Sequence, residues 1–200
     1  MDMYAFETEN YHVTPLKDYY ILKGEQKKTT AYNTSIYLAG IVSKAEHKIA
    51  RNGNKYGNME LIDKNGTASF GLFREDYLRW KHFISVGTAL YMQGSFYKRN
   101  GEELAFKFSN IMLLEDVKKT LTSKIVFNIA PPNINNKLLT FLNQFSKTNS
   151  GKTKLSFQLN DTQNGWKVKL TQDEKKGIEF NDELLEFLLS EKKIKWKVLV

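Results

Sequence analysis

Apolar and polar residues alternate along much of the chain, and changes of period mark its elements. Residues 1–35 show little periodicity, and the polar run Glu25–Thr30 separates them from the patterned residues beyond. Residues 1–31 are expected to form an N-terminal extension packed on the next domain. From Ile36, IYLAGIVSKAEHKI reads as one long strand with apolar residues on both faces. A bent strand shared by two halves of a barrel needs that pattern. Gly40 is a candidate bend or bulge within it. The turn Arg51-Asn-Gly-Asn54 leads into a second strand, Lys55 to Asp63. There Gly57, Met59 and Leu61 share one face, and Tyr56, Asn58 and Glu60 the other. Asp63-Lys-Asn-Gly66 predicts a tight turn in which Gly66 supplies a positive φ. A third strand, Thr67 to Phe73, aligns Ala68, Phe70 and Leu72.

The period then lengthens. REDYLRWKHFI, from Arg74 to Ile84, places Tyr77, Trp80 or Lys81, and Ile84 at helical spacing, and Gly87 ends it. A fourth strand, Ala89 to Arg99, aligns Leu90, Met92, Gly94 and Phe96. Asn100-Gly101 is a strong hairpin signal, and the fifth strand, Leu104 to Leu113, aligns Leu104, Phe106 and Phe108. Three strands, a helix and two strands is the order of the OB-fold, a five-stranded Greek-key barrel.

After a short connecting helix, LEDVKKTL, a second unit begins near Thr122. SKIVFNIA is a strand, stopped by Pro131-Pro132. Asn135 to Phe145 is an amphipathic helix with Leu138, Leu139, Leu142 and Phe145 on one stripe. KLSFQLN and WKVKLT read as a hairpin, and Ile178 to Phe180 as a short strand. Asn181 is placed to cap the helix ELLEFLLSE, and IKWKVLV closes as a strand. The order β-α-β-β-α-β predicts a small ferredoxin-like domain. The expected fold is therefore all-β plus α+β: an extension (1–31), an OB-fold with its connecting helix (32–121) and a C-terminal α+β domain (122–200).

Composition narrows the chemistry. The 200 residues carry no cysteine, which excludes disulfide scaffolds, thiolate metal sites and cysteine nucleophiles. Only three prolines occur and 41% of residues are hydrophobic, so the chain can bury a core. The start is mixed polar and acidic, and no apolar run reaches the ~18 residues a bilayer needs. A cytoplasmic protein with no membrane contact is expected. His12, His47 and His82 lack metal-ligand spacing, and no phosphate-binding glycine loop or nucleophile elbow is present. The acidic pairs Glu75-Asp76 and Glu115-Asp116 sit at helix starts, where the dipole explains them. Asp173-Glu174 reads as a solvated loop. No cofactor, metal or catalytic residue is expected.

The net charge is +8, distributed as +3 over residues 1–120 and +5 over residues 121–200. Its placement matters more than its size. Lys44, His47, Lys48, Arg51 and Lys55 surround the first turn of the expected barrel against one acid, Glu46. Tyr56 and Asn58 lie on the outward side of the second strand. Lys98 and Arg99 flank the fourth-to-fifth turn, and Lys107 is offset from the apolar face of the fifth strand. OB-folds grip oligonucleotides with the second and third strands and these two turns. The cations would meet phosphates and Tyr56 would stack on a base. The aromatics Phe70, Trp80, Phe96, Phe106 and Phe108 read as core, and Trp166 and Trp196 as packed in the second unit.

These residues resemble the OB-fold segment near the C-terminus of the alpha subunit of bacterial DNA polymerase III. The likeness is carried by Ala39 to Val42, the Asn52 to Lys55 turn, Leu61 to Gly66 and Leu72-Phe73. FKFSNIMLLEDVKKTL resembles the exit from that barrel, and residues 122–200 resemble in layout the domain after it. The resemblance implies a non-catalytic, single-stranded DNA-binding and replisome-contact role in DNA replication. It also implies a partner for residues 122–200, the clamp-loader tau subunit. The family's palm, fingers, phosphoesterase-like domain and magnesium-binding acids have no counterpart in these residues, so a C-terminal fragment or a derived stand-alone protein is expected. The alternative is a protein-interaction adaptor whose second unit docks a clamp-loader-type partner while the OB-fold is structural.

Overall fold

The alternation of residues 36–113 becomes five strands: β1 (Ile36–Ile49), β2 (Lys55–Ile62), β3 (Thr67–Phe73), β4 (Ala89–Arg99) and β5 (Glu103–Leu113). The computed structural model describes residues 1–26, 34–99, 103–161, 163–172 and 176–200. Most of the expected polar break at 25–30, the Asn100-Gly101 turn and the Asp173-Glu174 loop lie outside the described residues. The chain divides into two units, Met1–Val117 and Lys118–Val200.

In the first unit the strands form one antiparallel sheet in the order β3-β2-β1-β4-β5. It resembles an opened OB-fold. β1 is shared: Ile36–Ile41 pair with β4, and Ile41–Ile49 pair with β2. This sharing explains why its N-terminal half is apolar on both faces. The register slips between Val42 and Lys44, not at Gly40. Gly40 instead permits close packing, since a Cβ there would lie 2.9 Å from the Ile62 carbonyl oxygen.

Residues 1–26 fold as helices packed on the first sheet. Helices α1 (Ala5–Asn10) and α2 (Leu16–Gln26) place Tyr11, Leu16 and Tyr19 in the interior. Tyr19 fills the gap between the unpaired edges of β3 and β5, touching Phe70, Phe96 and Phe106. The β2–β3 turn holds α2 in place. Asp63 Oδ2 accepts the Leu16 N–H at 2.9 Å, while Oδ1 accepts from the Asn65 and Gly66 N–H groups at 2.6 and 2.8 Å. Gly66 does not have the positive φ expected of it. Its Cβ would sit 3.3 Å from the Lys17 backbone nitrogen, so the approach of α2 is what favours glycine. The Tyr20 hydroxyl accepts the Ser69 N–H at 3.3 Å, covering part of the free β3 edge.

Helix α3 (Arg74–Trp80) and the 3₁₀ turn Lys81–Phe83 come after β3. Tyr77, Trp80 and Ile84 are buried as their helical spacing predicts, and Lys81 is exposed. The core joins these residues to Leu38, Met59, Leu61, Phe70, Leu90, Met92, Phe96 and Phe108.

A short helix, α4 (Val117–Leu121), precedes the second sheet. The second unit comprises β6 (Lys124–Ile129), α5 (Asn136–Thr148), β7 (Ser150–Asp161), β8 (Trp166–Thr171), α6 (Asp182–Ser190) and β9 (Lys195–Leu199). Asn135 and Asn181 cap the two long helices, accepting from Leu138 and Leu184 N–H at 2.8 and 3.1 Å. Each such cap is worth about 1 kcal/mol. The element order is the expected one, but the pairing differs from the ferredoxin-like expectation. The sheet order is β8-β7-β6-β9, with β6 and β7 directly paired and parallel. A ferredoxin-like sheet would insert another strand between them. Here the β7–β8 hairpin turns outward, and every residue of β8 is exposed. Both helices cover one face: Phe141 and Phe187 stack at 3.7 Å, and Lys137 pairs with Glu191 at 2.6 Å. Trp196 packs there, its Nε1–H donating to the Leu188 carbonyl at 3.3 Å. Trp166 does not pack as expected and is 40% exposed on the edge strand. Ile178 forms only isolated bridges, to Ser150 and Thr153. Among the described residues no helix is long and apolar enough to cross a membrane.

Candidate nucleic-acid interface

Two-residue periodicity sorts the side chains of β2 and β3. Gly57, Met59, Leu61, Ala68, Phe70 and Leu72 turn inward, where all are buried or nearly so. Their neighbours turn outward and meet across the ladder: Tyr56 opposite Phe73, Asn58 opposite Gly71, Glu60 opposite Ser69. β1 extends the same face, with Lys48 opposite Tyr56, Glu46 opposite Asn58 and Lys44 opposite Glu60. The result is an open groove of about 480 Å³, lined by Lys44, Glu46, Asn58, Glu60, Gly71 and Phe73 among others.

Its aromatic wall is a pair. Tyr56 and Phe73 are stacked, centroids 5.6 Å apart and planes 18° from parallel. Phe73 is 49% exposed. Its ring lies over Gly71, where a Cβ would meet the ring at 2.6 and 2.8 Å. Phe73 is the residue that reading the sequence for binding overlooks. The signal is present in β3: if Ala68, Phe70 and Leu72 turn inward, Phe73 must turn outward.

The floor carries balanced charge. Lys44 Nζ lies 3.2 Å from Glu60 Oε1, and Lys48 Nζ lies 2.6 Å from Glu46 Oε2. The Ser43 hydroxyl donates to Glu60 Oε1 at 2.8 Å. Ser43, and then Lys44, hold the Glu60 carboxyl below its usual range, and Lys48 does the same for Glu46. The Lys48 ammonium is correspondingly raised by Glu46. These exposed pairs contribute little stability. They do neutralise two of the cations expected to meet phosphate. The second acid, Glu60, joins them only through strand pairing.

His47 has a different setting. Its Nε2 lies 3.0 Å from the Ile84 carbonyl and its Nδ1 3.0 Å from the Tyr77 hydroxyl. A carbonyl only accepts, so Nε2 donates to Ile84, and in the neutral ring Nδ1 then accepts from the Tyr77 hydroxyl. Both ring nitrogens are thus used to fasten β1 to Tyr77 of α3 and to Ile84 beyond it.

Arg51 and Lys55 stand exposed at the β1–β2 turn, where Gly53 takes φ +79°. Among the described residues neither makes an ion pair. Lys98 is exposed near the end of β4, and Arg99 is placed opposite Glu103 by the ladder. Lys107 is exposed on β5 and acts on Asp76, whose carboxyl burial nevertheless pushes upward. Asp76 belongs to a second hollow of about 520 Å³ between β3, β5 and α2. That hollow shares Ser69, Phe70, Gly71 and Phe73 with the groove, and adds Lys23 and Arg74. Arg74 has φ +50°, a conformation costly for a residue with a Cβ. Lys23 and Arg74 carry no motif in the sequence and are found only through the fold. Among the described residues no group of His, Asp or Glu is arranged to hold a metal.

Residues 125–199 match the family model of the DNA polymerase III alpha subunit, C-terminal domain. No curated protein matches the chain. Among solved structures, the mitochondrial single-stranded DNA binding protein Rim1 of S. cerevisiae is similar at 17% identity and TM-score 0.30, covering 40% of this chain and 93% of that one. A deletion mutant of the single-stranded DNA binding protein from Thermus aquaticus is similar at 15% identity and TM-score 0.30, covering 40% and 50%. Both likenesses are too slight to bear on function.

Proposed function

We propose that the first unit holds single-stranded DNA in the β1–β2–β3 groove, as a non-catalytic part of a bacterial replicative polymerase of the DNA polymerase III alpha type. The observation that carries this reading is the stacked, half-exposed Tyr56–Phe73 pair beside the groove. Nucleobases stack on such rings without regard to sequence. Arg51 and Lys55 at one turn, with Lys98, Arg99 and Lys107 on β4 and β5, are assigned to phosphates. Lys44 and Lys48 take phosphates by exchanging them for Glu60 and Glu46. Asn58 offers hydrogen bonds to a base edge. His47 supports the groove from beneath by fastening β1. The match of residues 125–199 to the polymerase family supports the replication setting.

The test is the salt dependence of binding of a fluorescent oligo-dT to the whole chain. Each phosphate neutralised on a single strand contributes about −0.7 to the log–log slope. Arg51→Glu with Lys55→Glu is expected to flatten the slope by about 1.4 and weaken binding. Affinity indifferent to salt, or to this double reversal, rejects the reading.

A second reading concerns residues 118–200. Trp166, Val168 and Leu170 form an exposed apolar row on the edge strand β8, 40%, 42% and 52% accessible. Apolar edge strands of this kind are contact surfaces. We assign the row to a protein partner of the clamp-loader tau type. Trp166→Glu with Val168→Glu is expected to abolish capture by purified tau, and unchanged capture rejects the assignment.

A further inference from the structure

The second sheet has one face covered by α5 and α6 and another covered by neither. Phe127, Phe157, Leu170 and Trp196 share a row across the sheet, and Trp196 bonds to α6, so this row marks the helix side. Alternation sends the intervening residues to the opposite face. One row there reads Lys169, Gln158, Asn128, Lys195 across β8, β7, β6 and β9. Lys167 and Lys197 occupy the same face in adjacent rows, and Lys124 lies one row further, beyond the buried Val126 and Ser156. None of its strand positions is Asp or Glu. Among the described residues, Lys124, Lys167, Lys169, Lys195 and Lys197 make no ion pair. Lys167, Lys169, Lys195 and Lys197 are exposed.

Uncompensated lysines at this density repel one another, so the face is built for a polyanion rather than for stability. It carries no aromatic residue, because Phe127, Phe157, Trp166 and Trp196 all lie on the helix side. Unpaired bases therefore find nothing to stack on. A duplex keeps its bases stacked internally and presents only phosphates, at about one charge per 1.7 Å of axis. Asn128 and Gln158 add neutral hydrogen-bond donors between the lysines. We infer that this lysine face of the second sheet binds the phosphate backbone of double-stranded DNA without sequence preference. The site is separate from the single-strand groove in residues, unit and chemistry.

The experiment titrates a labelled 30-base-pair duplex and, separately, oligo-dT into the whole chain at several salt concentrations. The first variant is Lys167→Gln, Lys169→Gln, Lys195→Gln and Lys197→Gln together. The second, Lys169→Glu with Lys195→Glu, guards against an effect peculiar to the first, and thermal melting checks that both fold. At about −0.9 per contact, loss of four contacts flattens the duplex slope by about 3.6. That corresponds to about a hundredfold less salt sensitivity between 50 and 200 mM. Oligo-dT binding should be unchanged, and Tyr56→Ala with Phe73→Ala should show the converse pattern. The inference is overturned if folded lysine variants bind duplex as the parent does, or lose duplex and oligo-dT equally. It is also overturned if duplex binding disappears with the aromatic variant, or if polyglutamate binds more tightly than duplex at equal salt.

Discussion

Phe73 stacks on Tyr56 directly across the β2–β3 ladder, and its ring occupies the space that a side chain at Gly71 would need. The two contacts separate the role of the ring from its mere presence. Removing it in Phe73→Ala should weaken oligo-dT binding by about 5- to 150-fold, the range for loss of one stacked base. Gly71→Ala keeps the ring but pushes it off the stack, and should cause a loss of the same kind. Phe73→Tyr should bind as the parent does. Anisotropy titrations check all three.

His47 is expected to matter for folding and not for binding. Tyr77→Phe keeps the buried ring and deletes only its hydrogen bond to Nδ1, at a cost of about 0.5–1.5 kcal/mol. His47→Ala also leaves the Ile84 carbonyl without its donor and should cost about 1–3 kcal/mol. Denaturant melts should rank the variants in that order, with oligo-dT affinity unchanged in both. A loss of affinity in folded Tyr77→Phe would place His47 in the interface after all.

Acid should loosen the β7–β8 hairpin. Asp161 Oδ1 accepts the Gln163 and Asn164 N–H groups at 3.0 Å, and Oδ2 accepts from the Asn164 side chain at 2.8 Å. Asn164, by its side chain and then its backbone, holds this carboxyl below its usual range. A depressed folded value means the stabilisation is complete above the ordinary carboxylate value of about 4. It is lost as pH falls through the lowered value. Trp166 pairs with Asp161 and reports the change. Its indole NMR signal should shift below about pH 4 in the parent and stay fixed in Asp161→Asn.

Local pattern made the strands legible, and long-range pairing hid the rest. β3, β4 and β8 follow from alternation alone, since two-residue periodicity and turn residues are local properties. So are the caps at Asn135 and Asn181. Tyr19 lies in a stretch with little periodicity, yet it closes the gap between β3 and β5. That role depends on which edges are left unpaired. The direct β6–β7 pairing is invisible for the same reason: β-α-β-β-α-β is one element order with more than one sheet order. In the groove, Lys44, Lys48, Tyr56 and Asn58 meet on one face as their spacing implies. Glu60 shares the face of Tyr56 and Asn58 by the same alternation, and register is what sets it opposite Lys44 and Phe73 opposite Tyr56.

That register sets the last expectation. Glu60 and Glu46 compete with phosphate for Lys44 and Lys48, so the groove grips a strand less firmly than its lysines suggest. Glu46→Gln with Glu60→Gln keeps the shape of both side chains and leaves each one acceptor oxygen, while removing both carboxylates. If the lysines then turn to phosphate, two contacts are added at about −0.7 each. The oligo-dT slope should steepen by as much as about 1.4, and affinity at low salt should rise. Single substitutions should each give about half the change, because the two pairs share no partner. A double variant whose slope and affinity match the parent would show that Lys44 and Lys48 do not touch the strand. Binding would then rest on the Arg51–Lys55 turn, β4, β5 and the stacked rings.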